Sequence, residues 1–295
     1  MNCRVVRWVF GLLAAMLTSP AGASTAPLRV ASLSTVTTEI AQRVGGDRVV
    51  VIGLVKPGVD PHEFEPTPED LKTMAASDLV LASGKGLEGY LDKLQESSGT
   101  KGSLLRVGDS LPGLNSTDRA GRGEDPHWWQ SIREVQQAVR IVRDRFNQLR
   151  PADQEIFAAN AAKYLAELDA LKKWSEAEIA KLPRDQRRLV TSHDAFQYFA
   201  NDFGFTIYPI KGISSDDEPS SRAVADLIAI IRAQKVRAIF PESIENPKVI
   251  AEITRETGAK IADKLYADGL GDGEAATYDG MYRHNVRTIV KALGN

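Results

Sequence analysis

The sequence is poor in cysteine and in histidine. Its 295 residues include one cysteine, Cys3, and four histidines. Because Cys3 falls within an expected leader, the mature chain has no cysteine to form a disulfide, and its stability must come from the size of its hydrophobic core. The scarcity of histidine makes the position of each one informative.

The chain also lacks a basic excess and long apolar runs. It has 37 Lys and Arg against 39 Asp and Glu, and removal of two leader arginines gives 35 − 39 = −4. A protein that binds nucleic acid through its phosphates normally carries a clustered positive charge. A membrane-spanning helix needs about 20 consecutive apolar residues. We therefore expect no nucleic-acid binding and no membrane insertion.

Residues 1–23 predict a secretory signal peptide. Two arginines precede the apolar run at 8–17, and small residues end at Ala23, where cleavage is expected. The apolar run is shorter than the roughly 20 residues of a membrane anchor. Cys3 precedes this run, whereas a lipid-modified cysteine follows it. The expectation is a periplasmic protein, secreted through a cleaved signal peptide and not lipid-anchored.

The remaining chain predicts an α/β fold in two lobes. Short β-branched segments alternate with amphipathic ones, as in a parallel sheet covered by helices. Residues 152–182 contain neither proline nor glycine and predict one helix on the order of 45 Å long. The predicted division is an amino-terminal lobe at 24–151, this linking helix, and a carboxy-terminal lobe at 183–295.

Three of the histidines follow predicted strands or open helices. His62 and His127 each end an Asp-Pro-His tripeptide, and His193 follows the first strand of the second lobe. Open α/β sheets bind ligands at the carboxyl ends of their strands, and imidazole is a good ligand for transition metals. These histidines are therefore candidate metal ligands, with an exposed loop histidine as the alternative. His284 lies within the last predicted helix and is assigned to its surface.

Two motifs favour other functions. Residues 84–89 match G-x-G-x-x-G, which would bind a dinucleotide with Asp109 on the ribose, but they follow the third strand rather than the first, so a tight turn is favoured. Residues 108–111 resemble the nucleophile block of GDSL-type esterases. No aspartate lies three residues before any histidine, so Ser110 would lack the usual base.

Other residues keep two interpretations each. Trp128 and Trp129 could line a metal pocket or only pack a loop. Glu242 could support a ligand or be a surface carboxylate.

Thr67 and Asp70 predict a capping box that starts a helix just after His62.

Taken together, these stretches resemble the metal-binding substrate-binding proteins of ABC importers, the zinc and manganese group. The resemblance covers essentially all of the mature chain and is carried by residues 59–62, 65–68, 125–127, 191–196, 240–242, 265–270 and 277–278. It implies two lobes, each with a four-stranded parallel sheet flanked by helices, joined by one long linking α-helix. It also implies a metal between the lobes.

By this resemblance the metal ligands are His62, His127, His193 and Asp268, and Asp268 rests mainly on it. The third position is often Glu in the manganese proteins and His in the zinc proteins, so His193 points to Zn²⁺. Three imidazoles with one carboxylate also suit tetrahedral Zn²⁺. Mn²⁺ remains the alternative if Asp268 binds through both oxygens. Residues 111–124 depart from many zinc-type members, which carry a histidine-rich loop there.

The expected function is binding rather than catalysis, because four protein ligands leave no position open for a reacting water. The protein would deliver its metal to the permease of an ABC importer, as a monomer, with a periplasmic metallochaperone as a further candidate partner. The two lobes would close around the metal with two ligands each, and protonation of the histidines would oppose binding below about pH 6. A secreted zinc-dependent hydrolase and a surface adhesin are the alternative classes.

Overall fold

The computed structural model describes residues 26–114, 124–213, 219–242 and 247–294. The predicted signal peptide, with Cys3, lies outside these residues, and so do positions 115–123 of the loop predicted before His127. Among the described residues, no helix has both the length and the apolar character needed to cross a membrane.

Two four-stranded parallel sheets organise the described chain, and both have the same strand order. The orders are β2-β1-β3-β4 and β6-β5-β7-β8. The strands are β1 Leu28–Ser32, β2 Val49–Gly53, β3 Leu79–Ala82, β4 Ser103–Arg106, β5 Arg188–Thr191, β6 Thr206–Pro209, β7 Ala238–Phe240 and β8 Lys260–Ile261. The predicted pair of parallel sheets is confirmed. In each sheet the strand order reverses next to its first strand, which places ligand-binding loops beside β1 and β5.

Helices cover both faces of the sheets, as parallel strands require. Within the described residues the helices are α1 Thr35–Gly45, α2 Pro68–Ala75, α3 Leu91–Ser98, α4 Ile132–Leu149, α5 Gln154–Ile179, α6 Gln197–Phe203, α7 Ser221–Ala233, α8 Pro247–Thr257 and α9 Tyr278–Leu293. Local sequence explains the best-defined starts. Ser34 caps α1, and Thr67 and Asp70 form the predicted capping box of α2, with Pro68 in its first turn.

The predicted linking helix is present as α5, which contains 26 residues. At 1.5 Å per residue it is about 39 Å long. It is shorter than the predicted 152–182 because Pro151–Asp153 forms a separate 3-10 turn before it. The elements before α5 are called the first lobe below, and those after it the second lobe.

One hydrophobic core extends through both lobes. Leu79 of β3, Leu171 of α5 and Phe240 of β7 belong to the same cluster of buried residues. The opposite face of each sheet has a smaller cluster of its own, which includes Met74 in the first lobe and Ile253 in the second. The two lobes are therefore joined by packed side chains as well as by α5.

Candidate metal centre

The four predicted ligands meet at one point. The Nε2 atoms of His62 and His193 lie 3.2 and 3.3 Å from Nε2 of His127. Oδ1 of Asp268 lies 3.6 Å from Nε2 of His62, 3.4 Å from that of His127 and 3.2 Å from that of His193. One ligand atom from each residue falls within 4.8 Å of all the others. Residues up to 206 positions apart in the chain (268 − 62) thus form a single cluster.

The two Asp-Pro-His segments hold their histidines in the same way. Oδ1 of Asp60 accepts a hydrogen bond from the backbone N–H of His62 at 2.8 Å. Oδ1 of Asp125 accepts from the backbone N–H of His127 at 2.9 Å and also lies 2.8 Å from its Nδ1. In both cases an aspartate binds a backbone N–H two residues ahead, a turn that this side chain favours. The aspartates therefore orient the two candidate ligands, a role that the sequence did not predict.

Glu242 supports His193 from the neighbouring strand. His193 follows β5 and Glu242 follows β7, on either side of the strand-order reversal. The carboxylate of Glu242 accepts a hydrogen bond from Nδ1 of His193 and another from the backbone N–H of Ser192 at 3.1 Å. With Nδ1 as the donor, Nε2 carries the lone pair that faces the cluster. Of its two interpretations, Glu242 takes the supporting one.

Asp268 supplies the negative charge at the centre of the cluster. Its Oδ1 is buried and lies 3.2 Å from Nε2 of His193, the nearest of the three ring nitrogens around it. Burial alone would raise the pKa of Asp268, but the attraction of His193 and the hydrogen-bonding ring nitrogens lowers that pKa well below its usual value. A buried carboxylate that stays ionised needs a cation beside it.

The pKa values of His127 and His193 are both raised, so the surroundings of these two rings favour positive charge. Burial alone would lower the pKa of His127, but hydrogen bonds with Asp125 and Asp268 outweigh it and raise that pKa. For His193, burial is likewise outweighed by the charges of Asp268 and Glu242, which raise its pKa well above the usual value. In their neutral form the three imidazole rings direct their Nε2 lone pairs toward the carboxylate of Asp268. These groups repel one another unless a cation lies between them.

The cluster is almost closed to solvent. The side chains of His127 and His193 are 0% and 2% exposed, while His62 and Asp268 remain 9% and 10% exposed. A cavity of about 120 Å³ borders Asp268. A larger cavity of about 640 Å³ lies elsewhere, near the ends of α7 and α8, and none of the four residues lines it. Access to the cluster is therefore from the side of His62 and Asp268.

The two tryptophans have different roles. Both are buried. The ring of Trp129 lies edge-on to that of His127, with centroids 5.4 Å apart, so Trp129 forms part of the wall of the site. Trp128 instead donates a hydrogen bond from Nε1 to the hydroxyl of Ser83 at 3.0 Å. His284 lies in α9 and contacts the carbonyl of Lys264, outside the cluster.

The glycine-rich residues 84–89 do not form the competing dinucleotide site. In residues 84–89 the carboxylate of Glu88 accepts hydrogen bonds from the backbone N–H groups of Ser83 and Gly84, the latter at 3.0 Å. Asp109 accepts from the backbone N–H of Lys85 at 2.7 Å. The donors that would bind a pyrophosphate are thus used internally, and the tight turn is the correct interpretation.

The fold and the cluster define a class: an extracytoplasmic substrate-binding protein that presents a metal to an ABC importer. The chain belongs to the family described as zinc-uptake complex component A, periplasmic, whose profile matches residues 30–292. Members of this family are substrate-binding proteins and not enzymes. The alternative of a secreted hydrolase is therefore not supported.

Individual relatives bind different metals according to their names. The chain is 36% identical over 275 residues to the manganese-binding lipoprotein MntA of Bacillus subtilis, covering 90% of each. The structure of the periplasmic zinc-binding protein TroA of Treponema pallidum superposes with a TM-score of 0.84 at 29% identity, covering 91% of this chain and 99% of that one. The resemblance predicted from the sequence is confirmed, and the relatives do not favour zinc over manganese.

The expectation that the protein is not lipid-anchored is wrong. MntA is named a lipoprotein, as is the metal ABC transporter substrate-binding lipoprotein FimA of Streptococcus parasanguinis, which is 27% identical and covers 98% of this chain and 96% of its own. The expectation used only the position of Cys3, which lies outside the described residues. The extracytoplasmic location is supported by the same relatives.

Proposed function

We propose that this protein captures Zn²⁺ through His62, His127, His193 and Asp268 and delivers it to the permease of an ABC importer. The observation that carries the proposal is the spacing of the four ligand atoms. Five of their separations fall between 3.2 and 3.6 Å. Zn²⁺ with ligands at about 2.0–2.2 Å in a tetrahedron requires separations of roughly 3.3–3.6 Å.

The donor set supports zinc over manganese. Three imidazole nitrogens and one carboxylate form a nitrogen-rich site, and such sites bind Zn²⁺ more strongly than Mn²⁺. The hydrogen bonds from Nδ1 of His127 to Asp125 and of His193 to Glu242 keep Nε2 available to the metal. Manganese is the second candidate, since MntA is named a manganese-binding protein.

Titration of the protein after removal of metal by a chelator tests the proposal. We expect one equivalent of Zn²⁺ to bind and to resist competition by Mn²⁺. His193→Ala should weaken Zn²⁺ binding by more than about a hundredfold, because it removes a ligand rather than a supporting group. His284→Ala, which changes a histidine outside the cluster, is the matched control and should bind as the wild type does.

Two results would contradict the proposal. Failure of the wild type to bind either metal stoichiometrically would refute the metal centre, and tighter binding of Mn²⁺ than of Zn²⁺ would replace zinc by manganese. Equal affinities of the His193→Ala and His284→Ala variants would remove His193 from the ligand set.

A further inference from the structure

The backbone around Asp268 is held by residues of the first lobe. The carbonyl of Ala267 accepts hydrogen bonds from Nε1 of Trp129 at 2.7 Å and from Nε2 of Gln130 at 2.9 Å. On the other side of Asp268, the N–H of Leu270 donates to the hydroxyl of Thr35 at 2.8 Å. Tyr266, two residues before Asp268, exchanges hydrogen bonds with the side chain of Asn285 in α9, at 2.9 and 2.8 Å. The Asp268 loop is therefore anchored on both lobes.

The loop of His193 is anchored differently. The backbone N–H groups of Ser192 and His193 donate to Glu242, at 3.1 and 3.4 Å. The N–H of Asp194 donates to the carbonyl of Gly212 at 2.9 Å. Each of these partners belongs to the second lobe. The loop of Asp268 thus has hydrogen bonds to the first lobe that the loop of His193 does not share among these contacts.

Gly269 allows the Asp268 loop to approach Thr35. Its φ of +152° lies in the region that side chains rarely adopt, and a Cβ added there would lie 2.4 Å from the hydroxyl oxygen of Thr35. Any larger residue would push the loop away from α1. The close approach therefore depends on glycine next to the ligand.

The hydroxyl of Thr35 is not needed to start its own helix. Ser34 is the N-cap of α1, and its side chain accepts from the N–H of Thr37. Thr35 is half-buried at the first position of the helix, so its hydroxyl oxygen is directed to the N–H of Leu270. This hydrogen bond connects residues 235 positions apart and fixes the distance between α1 and the Asp268 loop.

We propose that Thr35 is a positioning residue for Asp268, a ligand whose loop is fixed by hydrogen bonds to both lobes. The inference rests on the proposed function, since it assumes that the four residues bind the metal. Loss of the Thr35 hydroxyl would then let the Asp268 loop shift relative to His62 and His127.

The test compares Thr35→Val with Thr38→Val. Both changes remove a hydroxyl from a half-buried threonine of α1, but the hydroxyl of Thr38 donates only to the carbonyl of Ser34, at 2.7 Å. We expect Thr35→Val to weaken Zn²⁺ binding about tenfold or more in a chelator competition, while Thr38→Val binds as the wild type does. Thr35→Ser should restore the wild-type affinity.

A spectroscopic readout separates positioning from a general loss of stability. Co²⁺ bound in place of Zn²⁺ should give an altered visible spectrum in Thr35→Val, because Asp268 moves relative to the three imidazoles, and an unaltered one in Thr38→Val. Gly269→Ala should reproduce the loss of affinity without changing the hydroxyl.

Each outcome decides between the two proposals. If the wild type binds no metal, the proposed function fails. If the wild type binds metal but Thr35→Val matches Thr38→Val in affinity and spectrum, the positioning role of Thr35 is refuted. Should Thr35→Val not fold, Gly269→Ala with wild-type affinity and spectrum would refute it equally.

Discussion

At the scale of single residues, the carboxylate of Glu242 determines how the ring of His193 faces the four-residue cluster. It is buried and accepts hydrogen bonds from Nδ1 of His193 and from the backbone N–H of Ser192. An acceptor in this position fixes the tautomer and the ring orientation and makes the ligand more basic. The strength of metal binding should therefore depend on a residue that does not touch the metal.

We predict that Glu242→Gln lowers Zn²⁺ affinity about tenfold to a hundredfold. The amide keeps the size of the side chain but loses its charge and one of its two acceptors. Isothermal titration at neutral pH measures the effect, with Glu252→Gln on the exposed surface of α8 as the control. Equal affinities of the two variants would contradict the prediction.

The buried carboxyl of Glu88 should make the free energy of unfolding depend on pH. It is buried in the glycine-rich turn, and burial raises its pKa from 4.5 to about 7. Between these two pH values the unfolded chain has released this proton while the folded protein keeps it, so rising pH favours unfolding. The contribution of Glu88 to the free energy of unfolding should fall by about 3 kcal/mol over this range and stay constant outside it.

Glu88→Gln should remove the part of the pH dependence of stability that Glu88 contributes, because the amide does not titrate. Urea unfolding from pH 4 to pH 8 measures the free energy of unfolding of the wild type and of the variant. The wild-type value minus the variant value should decrease as pH rises. Glu96→Gln, on the exposed surface of α3, is the control and should leave the pH profile unchanged. A constant difference between wild type and Glu88→Gln would contradict the assignment.

The residues that could be predicted from the sequence are those with a local signal. The three histidines are rare and follow strands or open helices, and residues 84–89 come after the third strand of their lobe, which favoured a tight turn over a dinucleotide site. Asp268 has no such local signal and was selected through the resemblance to a family. The contact between Thr35 and Leu270 could not be predicted, because it depends on the packing of elements 235 residues apart.

At the scale of secondary structure, α2 begins at a defined point just after the loop of His62. The N–H of Asp70 donates to the hydroxyl of Thr67 at 3.3 Å, and the N–H of Thr67 donates to the carboxylate of Asp70 at 2.8 Å. This reciprocal arrangement satisfies backbone groups that the first turn leaves unpaired. A fixed helix start limits the positions that the preceding loop can adopt.

Thr67→Ala should lower the free energy of unfolding by about 1 kcal/mol, because it removes the side chain that caps the helix. Chemical denaturation measures the loss. Thr73→Ala, inside the same helix, should have no destabilising effect, since alanine is the better helix former. If both variants are equally stable, the capping box does not contribute to folding.

Elements were predicted more accurately than the contacts between them. The capping signal of α2 and the absence of proline and glycine from residues 152–182 indicated two helices that the structure contains. The bounds of α5, Gln154–Ile179, were predicted less accurately, because helix ends fray and short turns follow local geometry. The boundaries of the lobes at residues 24, 152 and 183 stay predictions.

At the scale of the whole molecule, the two lobes share a core. Leu171 of α5 is completely buried and belongs to the cluster that includes residues of both sheets. A shared core couples the stability of its parts, so the molecule should unfold as one unit even though it contains two sheets.

Leu171→Ala should destabilise both lobes together by about 2–5 kcal/mol, the usual effect of a cavity in a packed core. Calorimetry should show one transition at a lower temperature, with equal calorimetric and van't Hoff enthalpies. Lys173→Ala on the exposed side of α5 is the control. Two separate transitions, of which only one shifts, would show that the lobes fold independently.

The shared core also limits how lobes can be exchanged between relatives during evolution. A fragment that ends after α5 would expose apolar side chains that are buried in the same cluster as Phe240 and Tyr282 in the intact molecule. A recombined chain would keep its solubility only if both parents carried matching side chains at this interface. We therefore expect that exchange of a single lobe between relatives would cost stability unless the residues at this interface were exchanged with it.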